Sequence, residues 1–218
     1  MDPTDAPSEQ SNSIYPRDSA GFDRVIFFSD AVFAIALTLV AVEIGIPVVA
    51  DRSSSPELWQ ALIEKVPSLA AYAFTFFWVA FYWRANHKFT NGLTGMNGRY
   101  VAAVLVYLAF IALLPFPAAT LGEYYNAVAL SFFLAFMAAV SALEVLLLVV
   151  ADRGDLLVER LTPQSRRYAI VGSLTPVVAA VLAIPVAFVS VPGAVAFFVL
   201  VALGLGAVVG RTLRPTTT

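Results

Sequence analysis

The 218-residue chain has no cysteine and only one histidine. Disulfide bonds, thiolate metal sites and cysteine nucleophiles are therefore excluded, and a single histidine with no second His or Cys nearby argues against a metal site. Charged residues make up only 13% of the sequence, whereas a soluble domain has about 25%. Because 60% of the residues are hydrophobic, the composition indicates a protein of the lipid bilayer. The net charge of -2 argues against a nucleic-acid partner.

Recognisable catalytic motifs are also lacking. The sequence contains no Ser/His/Asp arrangement with an oxyanion partner, no metal-binding motif and no glycine-rich phosphate loop. An intramembrane enzyme is therefore the least favoured class, and no cofactor is expected. Residues 1–21 are rich in Asp, Ser and Pro and contain no apolar run that would serve as a signal peptide. We predict that they form a disordered cytoplasmic tail.

The rest of the chain is dominated by apolar runs. A helix needs about 20 mostly apolar residues to cross the hydrocarbon core. Six segments reach or approach that length, at residues 25–49, 68–83, 100–121, 127–151, 168–189 and 193–210. Since the loops are too short for a further domain, we predict an all-α fold in which residues 22–214 form an integral membrane six-helix bundle.

The second of these segments is short, and residues 56–66 precede it. Ser55 as a cap, Pro56 at the first helical position and an apolar stripe predict a helix here. This helix either extends the second span or lies at the membrane interface, with Trp59 as an anchor and Pro67 as the boundary.

The distribution of Lys and Arg predicts the orientation. If the amino terminus is inside, eleven of the thirteen basic residues are cytoplasmic, Arg214 among them, and only Arg52 and Lys65 lie outside. We therefore predict a multi-pass protein of the cell membrane with both termini in the cytoplasm.

Ionisable residues lie at the start of the first span. Asp30 lies about 8 Å into this helix, deep enough to need a partner. Arg24 is six residues away and outside helical pairing geometry. We predict that Asp30 pairs with His87 or Arg84 at the end of the second span, and that Ser29 joins the network. The alternative is a set of unrelated residues that reach to the interface.

His87 allows two interpretations. It is either a proton sensor near neutral pH or, as we favour, a satisfied hydrogen-bond partner. Among the carboxylates of the later spans, Glu144 is expected to have an interhelical partner, and Glu123 to be exposed at the outer end of its span. Glu43 either concentrates cations at an outer mouth or pairs with Lys65.

An aliphatic stripe follows Asp30 on the first span. Ile35, Leu39, Val42 and Ile46 fall on one helical face, with Thr38 at its shoulder. Such a stripe is usually lipid-facing or part of a packed core, and periodicity alone does not distinguish these cases from a pore lining.

The motif Arg-x-x-x-Phe-Ser-Asp at residues 24–30, continued by Ala-Val-Phe-Ala-Ile-Ala-Leu-Thr-Leu, resembles the bacterial members of the TMEM175 lysosomal potassium channel family. The third span is similar to the same family at residues 113–117 and 121–124, as is His87. The chain departs from the pattern at Ala31, where many relatives have Gly.

The resemblance implies a homotetramer in which the first helix of each subunit lines a central path for monovalent cations, with K⁺ as the permeant ion. Ile35 resembles the family's hydrophobic constriction, and Leu39 and Val42 the further aliphatic layers. Thr38 matches the hydroxyl layer tied to potassium preference. The residues that would hold this helix in place are Arg24, Phe28, Ser29, Asp30 and His87.

A ring of aliphatic side chains gates by dewetting, because a hydrated ion cannot shed its water in a narrow apolar ring. Selectivity is expected to be modest, since Ile35 offers no oxygen and Thr38 only one hydroxyl per subunit. No Thr-Val-Gly-Tyr-Gly motif occurs in the chain, so an ordinary potassium channel filter is excluded. The alternative function is a proton-coupled secondary transporter that uses Asp30 and His87 as a relay.

Overall fold

The computed structural model describes residues 14–213, and this part of the chain is almost entirely helical. The helices are α1 Ala20–Val42, α2 Ser55–Glu64, α3 Val66–Thr90, α4 Gly98–Leu113, α5 Pro115–Tyr124, α6 Ala127–Arg153, α7 Pro163–Ala187 and α8 Val191–Thr212, with two short strands, β1 Tyr15–Pro16 and β2 Gly95–Met96. Within the described part, six helical segments are long and apolar enough to cross a membrane, and α4 with α5 forms the third. The predicted all-α, six-helix membrane fold is confirmed.

Side-chain caps begin most of these helices. The residue before the helix accepts a hydrogen bond from a backbone N–H of the first turn, which satisfies a donor that has no partner inside the helix. The capping residues are Ser19, Ser54, Asn97, Asn126, Thr162 and Ser190.

The third span is broken near its middle. α4 ends at Leu113 and α5 begins at Pro115, with Leu114 between them. Proline has no backbone N–H to continue the ladder of α4, and its ring clashes with the preceding turn. Pro115 therefore divides the third span into two helices.

The first span is shorter than predicted. We expected it to continue to residue 49, but α1 ends at Val42. Gly45 has a φ of 66°, in the left-handed region that ends helices, and Pro47 follows two residues later. Ile46 therefore lies beyond the helix.

The prediction that residues 1–21 are disordered is wrong for the part that the structure describes. β1 pairs with β2 in antiparallel register, and Arg17 donates hydrogen bonds of 2.8 Å to the Asn91 carbonyl and 2.7 Å to the Leu93 carbonyl. This long-range pairing has no periodic signature in so short a segment. Residues 1–13 of the predicted tail, and Arg214, lie outside the described residues.

Most of residues 56–66 belong to a helix of their own, α2, that is not continuous with the second span. α2 ends at Glu64 and α3 begins at Val66, so only Lys65 interrupts them. Ala61 is buried while Trp59 is 67% exposed, as expected for a helix with one apolar contact face.

Three chain segments meet at one end of the bundle. Thr94 N–H donates to the Leu156 carbonyl at 2.8 Å, and Val158 N–H donates to the Gly92 carbonyl at 2.9 Å. These bonds join the α3–α4 loop to the α6–α7 loop, and β1 adds the segment before α1. All three are segments that the charge distribution places on the same side of the membrane.

Candidate functional site

α1 has one face packed against the rest of the subunit. Ser29, Phe33, Ala36 and Val40 are buried, at spacings of four, three and four residues that keep them on one side of a helix. The Phe33 ring lies 6.1 Å from the Tyr107 ring of α4, centroid to centroid. The helix is therefore held in a fixed rotation by its packing.

The opposite face is the predicted aliphatic stripe. Ile35 is 57% exposed, Leu39 42% and Val42 71%, and Thr38 is exposed beside them. Ile46 shares this exposure but lies past the end of the helix. The stripe is thus not part of the subunit core, and it is free to face lipid or further copies of the chain.

Thr38 is oriented by a bond within its own helix. Its hydroxyl donates to the Ile35 carbonyl at 2.8 Å, which is a common arrangement for threonine in helices. The hydroxyl proton is engaged in this bond, and the oxygen of this exposed side chain keeps its lone pairs available.

The partner of Asp30 is a tryptophan. The Trp83 indole N–H donates to the Asp30 carboxylate at 2.8 Å, so the predicted pairing with His87 or Arg84 is wrong. Trp83 stacks on His87, with ring centroids 5.6 Å apart and an interplanar angle of 24°. Trp83 therefore contacts both groups, and within residues 14–213 no hydrogen bond or salt bridge joins His87 to Asp30 directly. The missed signal was the indole N–H itself, an obligatory donor one helical turn before the histidine.

The predicted helix-positioning residues do not form one network. Ser29 is 3% exposed and donates to the Val25 carbonyl at 2.8 Å, which satisfies its hydroxyl inside α1 and removes it from the Asp30 pair. Arg24 and Phe28 lie on a shallow groove between α1 and α4, together with Tyr15.

At the other end of α1, Glu43 and Glu123 line a narrow crevice with Tyr72. Glu123 is exposed, as predicted. Salt bridges between residues 14 and 213 join Arg160 to Asp155 and Arg166 to Asp152, and Glu43 and Lys65 form none in that range.

Glu144 has the interhelical partner that was predicted. The Tyr107 hydroxyl of α4 donates to the Glu144 carboxylate of α6 at 3.3 Å. This pair is therefore separate from the exposed face of α1.

The fold and this face define a six-helix integral membrane protein. Residues 24–115 match the sequence model of the family described as endosomal/lysosomal potassium channel TMEM175. A protein named as a potassium channel from Streptomyces collinus is 35% identical over 102 residues, which are 46% of this chain and 48% of the relative. Another from Chryseobacterium sp. is 33% identical over 92 residues, 42% of this chain and 44% of the relative. The match thus spans about half the length of these curated relatives.

A solved structure has a similar fold over most of the chain. It is a TMEM175 homolog from Chamaesiphon minutus, described as a lysosomal potassium-selective channel, with a TM-score of 0.70 and 22% sequence identity over 88% of this chain and 99% of that one. The resemblance to the TMEM175 family is confirmed: residues 24–115 carry the family's sequence pattern, and the fold is that of a bacterial homolog.

Proposed function

We propose that the protein is a cation channel favouring potassium, a homotetramer in the cell membrane whose α1 helices line the pathway. The observation that carries this proposal is the exposed aliphatic face of α1, opposite a face that is buried against α3, α4 and α5. The matched relatives from Streptomyces and Chryseobacterium are both named potassium channels. An enzymatic role has no support in the catalytic residue types of this sequence.

Four copies of α1 around an axis would stack Ile35, Leu39 and Val42 as aliphatic layers along the path. Ile35 and Val42 are seven residues apart, which is about 10 Å along a helix. Within such a narrow apolar stretch an ion finds no oxygen to replace its water shell, so the path dewets and closes. Opening then requires that the layers move apart, with Ile35 as the main constriction.

Thr38 is the candidate selectivity residue. It supplies one hydroxyl per subunit, and the bond to the Ile35 carbonyl leaves the oxygen lone pairs free to face a cation. A single layer of hydroxyls replaces only part of a hydration shell, so the preference for potassium over sodium is expected to be modest.

The orientation is also part of the proposal. The segment before α1, the α3–α4 loop and the α6–α7 loop lie at one end of the bundle. Most of the Lys and Arg residues lie in these segments or in the helix ends that flank them. The positive-inside rule then places this end, and both termini, in the cytoplasm.

The alternative is a proton-coupled transporter that uses Asp30 and His87. The geometry disfavours it, because the Trp83 indole donates to Asp30 and stacks on His87, and no described hydrogen bond joins the two groups directly. An indole N–H is a donor only and does not accept a proton for onward transfer. The transporter predicts flux that is driven by a pH gradient and abolished by Asp30→Asn.

Cysteine cross-linking tests the position of α1 in the assembly. Because the chain has no cysteine, Ile35→Cys introduces a single thiol per subunit. Disulfides form only when Cα atoms approach to about 7 Å or less. We expect oxidation of Ile35→Cys to give covalent dimers in membranes. The matched control is Val181→Cys on α7, 60% exposed, which should give none.

The proposal fails if Ile35→Cys stays monomeric while Val181→Cys cross-links, since another helix would then border the symmetry axis. Reconstitution supplies the functional test. Purified protein in liposomes should carry passive potassium flux without a pH gradient, and an absence of such flux would contradict the channel assignment.

A further inference from the structure

A second polar site lies inside the subunit, away from the exposed face of α1. A cavity of about 110 Å³ opens between α3, α4, α6 and α7. Its polar lining consists of Asn86 from α3, Tyr107 from α4, Glu144 from α6 and Ser173 from α7. One ordered water needs about 10–15 Å³ of such space, so the cavity has room for a small ion together with a few waters.

Glu144 is the acid in this cavity. Its one side-chain hydrogen bond within residues 14–213 comes from the Tyr107 hydroxyl, at a long 3.3 Å. The salt bridges in the same range do not include it. A carboxylate within a membrane span is costly unless its charge is compensated, and Tyr107, Asn86 and Ser173 are all neutral.

Two other polar side chains of the lining have hydrogen-bonding groups that are not used. Asn86 is 9% exposed, and neither its amide nor the Ser173 hydroxyl has a side-chain hydrogen bond to another described residue. The neighbouring pair differs, because the Tyr82 hydroxyl is 2.9 Å from the Ser141 hydroxyl and donates to the Met137 carbonyl at 3.1 Å. Asn86 and Ser173 both border the cavity, so their oxygens are available to a ligand that enters it.

We propose that this cavity binds one monovalent inorganic cation. The Glu144 carboxylate supplies the charge, and the Asn86 side-chain oxygen and the hydroxyls of Tyr107 and Ser173 supply neutral oxygen ligands. Oxygen donors suit hard cations. A single carboxylate balances a single positive charge, and residues 14–213 hold no group of three His, Cys, Asp or Glu side chains for a multivalent metal.

This site differs from the proposed ion pathway. No residue of α1 lines the cavity, so the bound ion would be a structural or regulatory ion of each subunit and does not depend on the pore assignment. A ligand that binds only the folded state stabilises it by mass action. Since the ligands come from four helices, occupancy should stabilise the packing of α3, α4, α6 and α7 together.

The test is thermal melting of the full-length purified protein in detergent. KCl, NaCl and N-methyl-D-glucamine chloride are compared at pH 8 and equal ionic strength. We expect the melting temperature in KCl or NaCl to exceed that in N-methyl-D-glucamine chloride by at least about 2 °C. Glu144→Gln should lose this difference, whereas Glu123→Gln, at an exposed carboxylate, should retain it.

Three outcomes would overturn the proposal: no cation-dependent difference in the unmodified protein, a full difference in Glu144→Gln, or stabilisation by low pH alone, which would make a proton the occupant. Should Glu144→Gln fail to fold, Ser173→Ala removes one ligand and should raise the half-saturating cation concentration several-fold. A structure determined in Tl⁺ gives an independent readout, since its anomalous signal should appear in the cavity and its absence there counts against the site.

Discussion

The Trp83 indole N–H donates a 2.8 Å hydrogen bond to the Asp30 carboxylate and joins α3 to α1. This contact restricts the rotation of α1 about its own axis. Asp30 and Ile35 are five residues apart, so their side chains project about 140° from each other around the helix. A helix whose Asp30 is held against α3 must therefore present Ile35 away from α3.

Replacing Trp83 with Phe tests this contact. Phenylalanine keeps an aromatic ring against His87 but has no N–H, so the carboxylate loses its donor. Hydrogen bonds to charged groups contribute about 1.5–3 kcal/mol, and partial exposure lowers this value here, so we expect a loss of about 1 kcal/mol. The measurement is the melting temperature of the purified protein.

The matched control is Trp59→Phe on α2, where the tryptophan is 67% exposed and should tolerate the change. Asp30→Asn provides a second comparison, because its amide oxygen still accepts from the indole. An Asp30→Asn variant as unstable as Asp30→Ala would show that charge, rather than the hydrogen bond, holds the two helices together.

Ile35→Asn should open the proposed constriction. An amide ring holds water where an isoleucine ring expels it, so the dewetting barrier falls and potassium flux should rise several-fold in a liposome assay. The control is Leu200→Asn on α8, where the side chain is 70% exposed. It places the same polar group outside the proposed pathway. Equal flux increases in both variants would indicate a nonspecific leak.

Thr38→Ala should lower the potassium-to-sodium permeability ratio. The change removes the only hydroxyl that each subunit offers to the proposed path, while the helix keeps its backbone bonds. Thr38→Ser retains the oxygen and should preserve the ratio. Reversal potentials under bi-ionic conditions measure this directly, and an unchanged ratio in Thr38→Ala would remove Thr38 from the selectivity mechanism.

Gly122→Ala should destabilise the packing of α5 on α3. A Cβ at Gly122 would lie 3.0 Å from the Ser68 Cα, a backbone atom that cannot turn aside. Overpacking of this kind costs about 1–3 kcal/mol. Gly204→Ala on α8 is the control, since a Cβ there would meet no atom within 4 Å beyond its chain neighbours and its own helix backbone. Melting temperatures should fall for the first and stay constant or rise for the second.

The sequence predicts the membrane spans well, because hydrocarbon thickness and apolar run length determine them directly. Helical periodicity also separates Ile35 and Leu39 from Phe33 and Ala36 on α1, but both faces are apolar, and only the structure shows which one is packed. The sequence also contains a signal for the early end of α1, because Gly45 and Pro47 are ordinary helix terminators. Hydropathy alone favours a longer helix.

Contacts between distant segments are not predictable in the same way. The choice among Trp83, Arg84 and His87 as the donor to Asp30 depends on the relative rotation of α1 and α3, which a single sequence does not encode locally. The pairing of β1 with β2 involves two residues on each side, too few for a strand pattern to appear.

The β1–β2 pair holds the amino-terminal end of α1 in place. The base of this helix is fastened to the α3–α4 loop through the strand and through the two Arg17 bonds, whereas its far end stops at Val42 and runs into Gly45. Val40 is still packed in the core, but among residues 14–213 the last turn of α1 has no backbone hydrogen bond to another segment, so it can be displaced more easily than the base. We therefore expect the largest displacement of α1 at the Val42 layer and the smallest at the Arg24 end.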